Sequence, residues 1–205
     1  MVGEDPALAF RVLLRELSDI YMAEGRPGGD AIARIYARAA QEAPAPGPAK
    51  PYVLDAEIRA ASESAAHPAA QAARLAHPLL RWSATGILDT QIPHHVSRLF
   101  AVVSLVGPGA MIEAADVRGG LFVQIRDTYY PLHAHAAEET YAMLAGDAEW
   151  TVHDAAPVSH GPRAYSFHPA NAPHATRTGT RPILAAWRWS GDTRPDSYRL
   201  LEDPH

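Results

Sequence analysis

The chain has no cysteine. That excludes disulfides, zinc ribbons, iron–sulfur clusters and thiol catalysis. His, Asp, Glu and Tyr are left as the side chains able to hold a metal. There is no excess of basic charge: 18 Lys and Arg stand against 23 Asp and Glu, a formal net charge of −5. No global field therefore invites nucleic acid, and no nucleic-acid partner is expected. No apolar run reaches the roughly 18 residues of a membrane span, so no membrane partner is expected either. The opening Met1-Val2-Gly3-Glu4-Asp5 is acidic and lacks the basic-then-apolar order of a signal peptide. The expected compartment is the cytoplasm. What is present is a chain of 205 residues, 47% hydrophobic and 20% charged, enough for one domain with an appendage. Its one odd count is 11 histidines, many of them between Pro131 and His174.

The first ninety residues read as helix. Asp5-Pro6 is a start signal, with Asp as N-cap and Pro at the first helical position. Phe10, Leu13, Leu14, Leu17 and Ile20 recur at helical spacing. Gly28-Gly29 predicts a break, after which Asp30 can cap a second helix carrying Ile32, Ile35 and Tyr36. Ala43 to Pro51 is a Pro-rich connector. Asp55 to Ala66 and Pro68 to Trp82 read as further helix, with Pro78 as a second point of interruption. From Gln91 the texture changes to short apolar clusters. Leu99–Val106, Met111–Ala115, Leu121–Ile125, Thr140–Leu144, Glu149–Val152 and Ile183–Trp189 are strand candidates. Gly107-Pro108-Gly109, Gly119-Gly120, Gly146-Asp147 and Gly161-Pro162 are turn signals between them. Short strands at this spacing predict an antiparallel barrel or jelly roll. The chain thus divides into a helical segment, 1–92, packing on a β-barrel, 93–205. The apolar helix stripe predicts burial against the barrel, against a second copy in a homodimer, or both. A DNA-binding head is disfavoured, because Met1 to Thr90 holds nine Arg and Lys against eleven Asp and Glu and shows no basic footprint.

The chemistry lies in Pro131 to Gly146. His133, His135, Glu139, Tyr141 and Met143 share one parity. If the segment is strand, short turn, strand, both arms aim these residues into one barrel interior. Two imidazoles and a carboxylate converging there suit a divalent metal, with His174 as a third imidazole. Burying so many polar groups without a ligand would leave costly unsatisfied atoms. His153, His160, His168 and His205, by contrast, read as ordinary core or surface histidines.

His133-x-His135-x3-Glu139-x6-Gly146 matches much of the first cupin motif. Pro169, Asn171 and His174 stand at the positions of the second motif, Pro-x-Gly-x2-His, with Asn171 in place of Gly and Thr178 where Asn is often found. The first motif's opening glycine is not at its usual distance before His133. The likeness is closest to one branch. Tyr130-Pro-x-His133-x-His135-x3-Glu139-x-Tyr141, then Leu144-Ala-Gly146-x-Ala148-x-Trp150, is similar to the cupin dimethylsulfoniopropionate lyases. So is Pro173-His174-Ala175-x-Arg177-Thr178, followed by Pro182 to Trp189 and Ser190-Gly191-Asp192. The resemblance covers mainly Leu99 to Asp192. It implies a mainly β fold, a cupin double-stranded β-helix (jelly-roll) barrel behind an N-terminal α-helical segment.

The resemblance also implies a small-molecule substrate, dimethylsulfoniopropionate, cleaved to dimethyl sulfide and acrylate by β-elimination. The α-proton is the difficult part, because the neighbouring carboxylate is already negative. One divalent transition metal per chain would offset that charge. The ligand pool is His133, His135, Glu139 and His174, not all required at once. Iron, zinc, manganese, cobalt and nickel all accept such ligands. Tyr141 is the expected base, and Tyr130 a second catalytic candidate that closes the pocket or orients substrate. A sulfonium has no N–H to donate, so aromatic faces are its natural partner; Tyr130, Trp150, Trp187 and Trp189 are the candidates. Another metal-dependent cupin enzyme, such as an oxygenase or isomerase of a small acid or sugar, and a non-catalytic ligand-binding cupin remain alternatives.

Overall fold

The computed structural model describes residues 5–63, 65–84 and 92–202. The expected change of texture at Gln91 and the histidine at 205 lie outside them.

Helix α1 (Pro6–Glu24) begins as its sequence dictates: the Asp5 carboxylate accepts from the Ala7 amide, and Pro6 takes the first turn. It ends at Gly25, whose φ of 70° is left-handed. Helix α2 (Pro27–Glu42) then starts behind Arg26. The expected break at Gly28-Gly29 and cap at Asp30 are therefore corrected. Both glycines sit in the first turn of α2, and Asp30 follows them in that turn. Their reason is space. A Cβ on Gly28 would lie 2.2 Å from Ser190 Oγ, and one on Gly29 2.5 Å from Glu24 Oε2. Helices α3 (Asp55–Ser62) and α4 (Pro68–Ala76) follow. The expected helix to Trp82 stops at α4, passes a 3-10 turn (His77–Leu79) and becomes strand β1 (Trp82–Ser83).

Two sheets build the barrel. After the single turn α5 (His94–Ser97) come β2 (Phe100–Val106), β3 (Arg118–Gln124), β4 (Tyr129–Ala134), β5 (Ala137–Ala145), β6 (Ala148–Val152), β7 (Val158–His160), β8 (Tyr165–His168), β9 (His174–Thr178), β10 (Ile183–Gly191) and β11 (Arg199–Leu200). One sheet has the order β1-β2-β3-β10-β5-β8, the other β11-β4-β9-β6-β7; all named pairs are antiparallel. Met111–Ala115, expected as a strand, makes only an isolated bridge between Val106 and Ile112.

The six-stranded sheet is buried on both faces. Ala101, Val103, Leu121, Ala142, Leu144, Leu184 and Ala186 pack under α1, α2 and α4 in one core. Phe100, Val102, Phe122, Tyr141, Met143, Ala185, Trp187 and Trp189 alternate with them and face the barrel interior. Strands covered on both sides read as near-continuous apolar runs. Gly119-Gly120, expected as a turn, lies inside β3. A Cβ on Gly120 would come within 1.8 Å of Val103 O, and one on Gly119 within 2.4 Å of Ile32 Cδ1. The glycines permit close approach of backbone and helix, not a reversal. No helix among the described residues is long and apolar enough to cross a membrane.

Candidate active site

The chain reaches the site by crossing between sheets. Strand β4 belongs to one sheet and β5 to the other, with His135 and Ala136 between them. That is the strand, short turn, strand arrangement, and it turns His133, Glu139 and Tyr141 toward one interior. His174 opens β9 and pairs with His133 across the ladder. The preceding loop is pinned by the Asn171 amide donating to His135 O at 2.8 Å. Asn171 has φ 61°, so the residue at this usual glycine position needs the left-handed conformation, which Asn tolerates. Gly146 has φ 71°, and a Cβ there would lie 2.5 Å from Pro182 O. This motif glycine has two independent reasons.

His133, His135, Glu139 and His174 are all buried. Donor atoms of His135, Glu139 and His174 lie within 4.8 Å of one another. His133 is not in that triplet. Its ring stacks on Tyr130 at 4.1 Å between centroids and meets the edge of His174. Each of the three imidazoles points Nδ1 at a backbone carbonyl two residues away: His133 at Pro131 O (2.7 Å), His135 at Ala137 O (3.0 Å) and His174 at Ala172 O (2.8 Å). A carbonyl only accepts, so each Nδ1 donates and each Nε2 is left with a lone pair. His135 Nε2 and His174 Nε2 then both face Glu139 Oε2 at 3.2 Å, and His174 Nε2 has no hydrogen-bond partner. Lone pairs converging on a buried carboxylate oxygen repel unless a cation lies among them or the imidazoles take a second proton. The donor set fits a divalent metal of the imidazole and carboxylate class.

The surrounding charges agree with this geometry. Burial opposes ionisation of Glu139, but imidazoles that take that second proton, His135 foremost, hold it well below the usual carboxylate range through their hydrogen bonds and charge. Burial, and then the neighbouring His174, push His133 well below its ordinary value, so it is neutral. Burial pushes His168 down to about 3, His174 adding to the effect. Tyr141 is moved the other way. Burial first, and then the Glu139 carboxylate to which its hydroxyl is hydrogen-bonded, raise the phenol well above 10. Tyr130 is raised by burial and by Tyr198, with which it shares a hydroxyl contact of 3.0 Å.

Beside these groups a cavity is lined by Tyr130, His133, His135, Glu139, Tyr141, Trp187 and Trp189 among the expected residues. Phe100, Val102, Phe122 and Tyr198 complete its wall. Trp150 is not at the wall: its ring lies behind Tyr141 (4.7 Å) and against His168 (5.6 Å). His168 is wholly buried, and it stands 3.3 Å from Glu139 Oε2. In the sequence it reads as an ordinary core or surface histidine, and nothing in that reading foretells the contact. The signal available was Ser166 and His168 sharing a parity immediately before Pro169. Tyr198, beyond the motifs, carried no signal.

A helix-backed, two-sheet barrel holding two histidines and a glutamate in its interior defines a cupin. The sequence profile of the dimethylsulfoniopropionate (DMSP) lyases matches residues 29–185, and the chain belongs to that family. Over 93 residues it is 40% identical to dimethylsulfoniopropionate lyase DddQ of Ruegeria pomeroyi, an alignment covering 45% of this chain and 46% of the relative. The sequence match thus spans about half the relative's length. Among solved structures, a chain from the crystal structures of the DMSP lyases RdDddP and RnDddQII superposes with a TM-score of 0.71 at 26% identity, covering 97% of this chain and 100% of that one. The DMSP lyase DddQ from Ruegeria pomeroyi DSS-3 gives 0.68 at 27% identity, covering 96% and 98%.

Proposed function

We propose that this chain is a metal-dependent carbon–sulfur lyase cleaving dimethylsulfoniopropionate to dimethyl sulfide and acrylate by β-elimination. The observation that carries the reading is the His135, Glu139 and His174 triplet set beside the Tyr141 hydroxyl on the wall of an aromatic cavity. His135, Glu139 and His174 would hold the metal, with His133 close by. A bound divalent cation would offset the charge of the substrate carboxylate and favour the Tyr141 phenolate over the phenol.

Tyr141 Oη then takes the proton from the carbon next to the carboxylate. The electron pair of that C–H bond forms the new C=C bond, and the pair of the breaking C–S bond leaves on sulfur. Dimethyl sulfide departs neutral and acrylate remains. The proton on Tyr141 returns to solvent before the next turn. Tyr130, Phe100, Phe122 and Trp187 line the cavity, and their rings are partners for the sulfonium that need no hydrogen bond. Tyr130, tied to Tyr198, orients the substrate rather than taking its proton.

The test is an anaerobic incubation of metal-loaded protein with dimethylsulfoniopropionate, measuring headspace dimethyl sulfide and acrylate together. Equal amounts of both, undiminished without oxygen, are expected. Full metal loading with neither product would overturn the assignment, and a requirement for oxygen would move the protein to the oxygenases.

A further inference from the structure

Strand β8 runs beside β5 with Glu139 opposite His168 and Tyr141 opposite Ser166. Both β8 side chains are buried, His168 completely. His168 Nδ1 lies 3.3 Å from Glu139 Oε2, and its Nε2 lies 2.9 Å from Ser166 Oγ. An ionised carboxylate can only accept, so Nδ1 carries the proton. Nε2 is then a lone pair, and the Ser166 hydroxyl donates to it. The result is one directional chain, Ser166 to His168 to Glu139. At the other carboxylate oxygen the Trp189 indole donates to Oε1 at 2.7 Å. The carboxylate is thus held at both oxygens by donors on the two strands that flank β5.

The His168 ring has no room to swing. It packs on His174 at 4.1 Å, Trp150 at 5.6 Å and Tyr141 at 5.7 Å between centroids. It is not one of the three residues whose donor atoms converge. Of the three imidazoles that approach Oε2, it is the one whose ring N–H is free to point at the carboxylate, since His135 and His174 donate theirs to backbone carbonyls.

We infer that His168, oriented by Ser166, is a positioning residue for Glu139, and that the pair sets how tightly and in what geometry the triplet takes a divalent cation. This rests on reading His135, Glu139 and His174 as a cation site. Hydrogen bonds to a ligating carboxylate typically change metal affinity 10- to 100-fold when lost.

The test compares two amides of like chemistry and unlike reach. In His168→Asn the side-chain NH2 falls near the position of Nδ1 and can still donate to Glu139. In His168→Gln it falls near Nε2, toward Ser166, and cannot. Cobalt(II) is titrated into metal-free protein, following the visible absorption of the bound ion, with thermal melting of each metal-free variant as the check on folding. The expectation is a loss of about 10- to 100-fold in Co2+ affinity and an altered visible band for His168→Gln. His168→Asn should stay near wild type. Ser166→Ala should weaken binding in the same direction by about 2- to 10-fold, the size of one neutral hydrogen bond. A folded His168→Gln with wild-type affinity and spectrum overturns the proposal. So does a His168→Asn as weak as His168→Gln, which would make the ring a ligand or a packing element. Should His168→Gln fail to fold, Ser166→Ala decides, and unchanged affinity there overturns the chain of donors. Wild-type protein that takes up no Co2+ instead removes the cation site itself, a failure separable from the other three.

Discussion

Trp189 and Glu139 face each other across β10 and β5, and the indole Nε1–H donates to Glu139 Oε1 at 2.7 Å. The same indole lies against the His135 ring, 4.2 Å between centroids. The polar edge of this tryptophan therefore serves the carboxylate, while its face serves a neighbouring imidazole. Hydrogen bonds to charged groups are worth about 1.5–3 kcal/mol. Trp189→Phe keeps the ring face and deletes the donor. Metal retained after dialysis against a chelator should correspond to an affinity lower by roughly 10-fold or more. Wild-type retention in the folded variant would mean that the indole only packs.

Tyr141→Phe separates proton transfer from ligand binding. The hydroxyl is lost, while the ring that packs on Trp150 and Phe122 remains. Turnover should fall by at least the ~100-fold typical of losing a general base, with metal content near normal. Metal content and kcat are read on the same sample. Retention of most of the wild-type kcat would end the role of Tyr141 as base.

On the opposite face of the six-stranded sheet, Glu24 at the end of α1 joins Arg188 of β10. Arg188 Nε donates to Glu24 Oε2 at 2.8 Å, and Nη1 donates to Ser190 Oγ at 2.9 Å. Thr140 adds a hydroxyl to Glu24 Oε1 at 2.6 Å. Arg188 is fully buried, and Trp187 and Trp189 flank it on the strand. Breaking a buried pair typically costs about 3–5 kcal/mol. Glu24→Ala should therefore lower Tm by about 6–20 °C, at 2–4 °C per kcal/mol for a chain of this size. Metal binding should persist in the folded fraction. Calorimetry and urea unfolding measure the first, metal analysis the second. A loss below about 1 kcal/mol would mean that Glu138, 3.2 Å from Arg188 Nη2, takes over the pairing.

The parts of this molecule legible in its sequence are those where one physical demand acts alone. α1 must bury one stripe, and Phe10, Leu13, Leu14 and Leu17 record it. β2, β5 and β10 are covered on both faces, and their apolar runs record that. The His-x-His-x3-Glu spacing follows from one turn between two strands. Legibility failed where a residue answers to a neighbour distant in sequence. Gly28 yields to Ser190 and Gly120 to Val103, so neither glycine pair marks the turn it resembles. The short strands β7, β8 and β9 mix polar residues into partly exposed positions, which hides their alternation. His168 reads as an ordinary core or surface histidine because its partner, Glu139, is 29 residues away.

To act on dimethylsulfoniopropionate, the cavity must tell a sulfonium acid from an ordinary carboxylic acid. A metal can hold any carboxylate, so selectivity must come from the other end of the pocket. The cavity wall is largely aromatic, and Trp187 and Tyr130 are two of its rings. Cation–π contact is worth about 0.5–2 kcal/mol depending on desolvation. Trp187→Leu should raise KM for dimethylsulfoniopropionate by about 2- to 30-fold, the range those energies give. Inhibition by acrylate, which carries no cation, should hardly change. Trp150→Leu is the control, since its ring lies behind Tyr141 and off the cavity wall. It should lower stability without separating the two constants. The measurement is a paired KM and acrylate Ki for each folded variant. If Trp187→Leu weakens substrate and acrylate alike, or weakens neither, the ring supplies shape and not recognition of charge. If Trp150→Leu raises KM alone, the cationic end of the pocket lies deeper, beyond Tyr141.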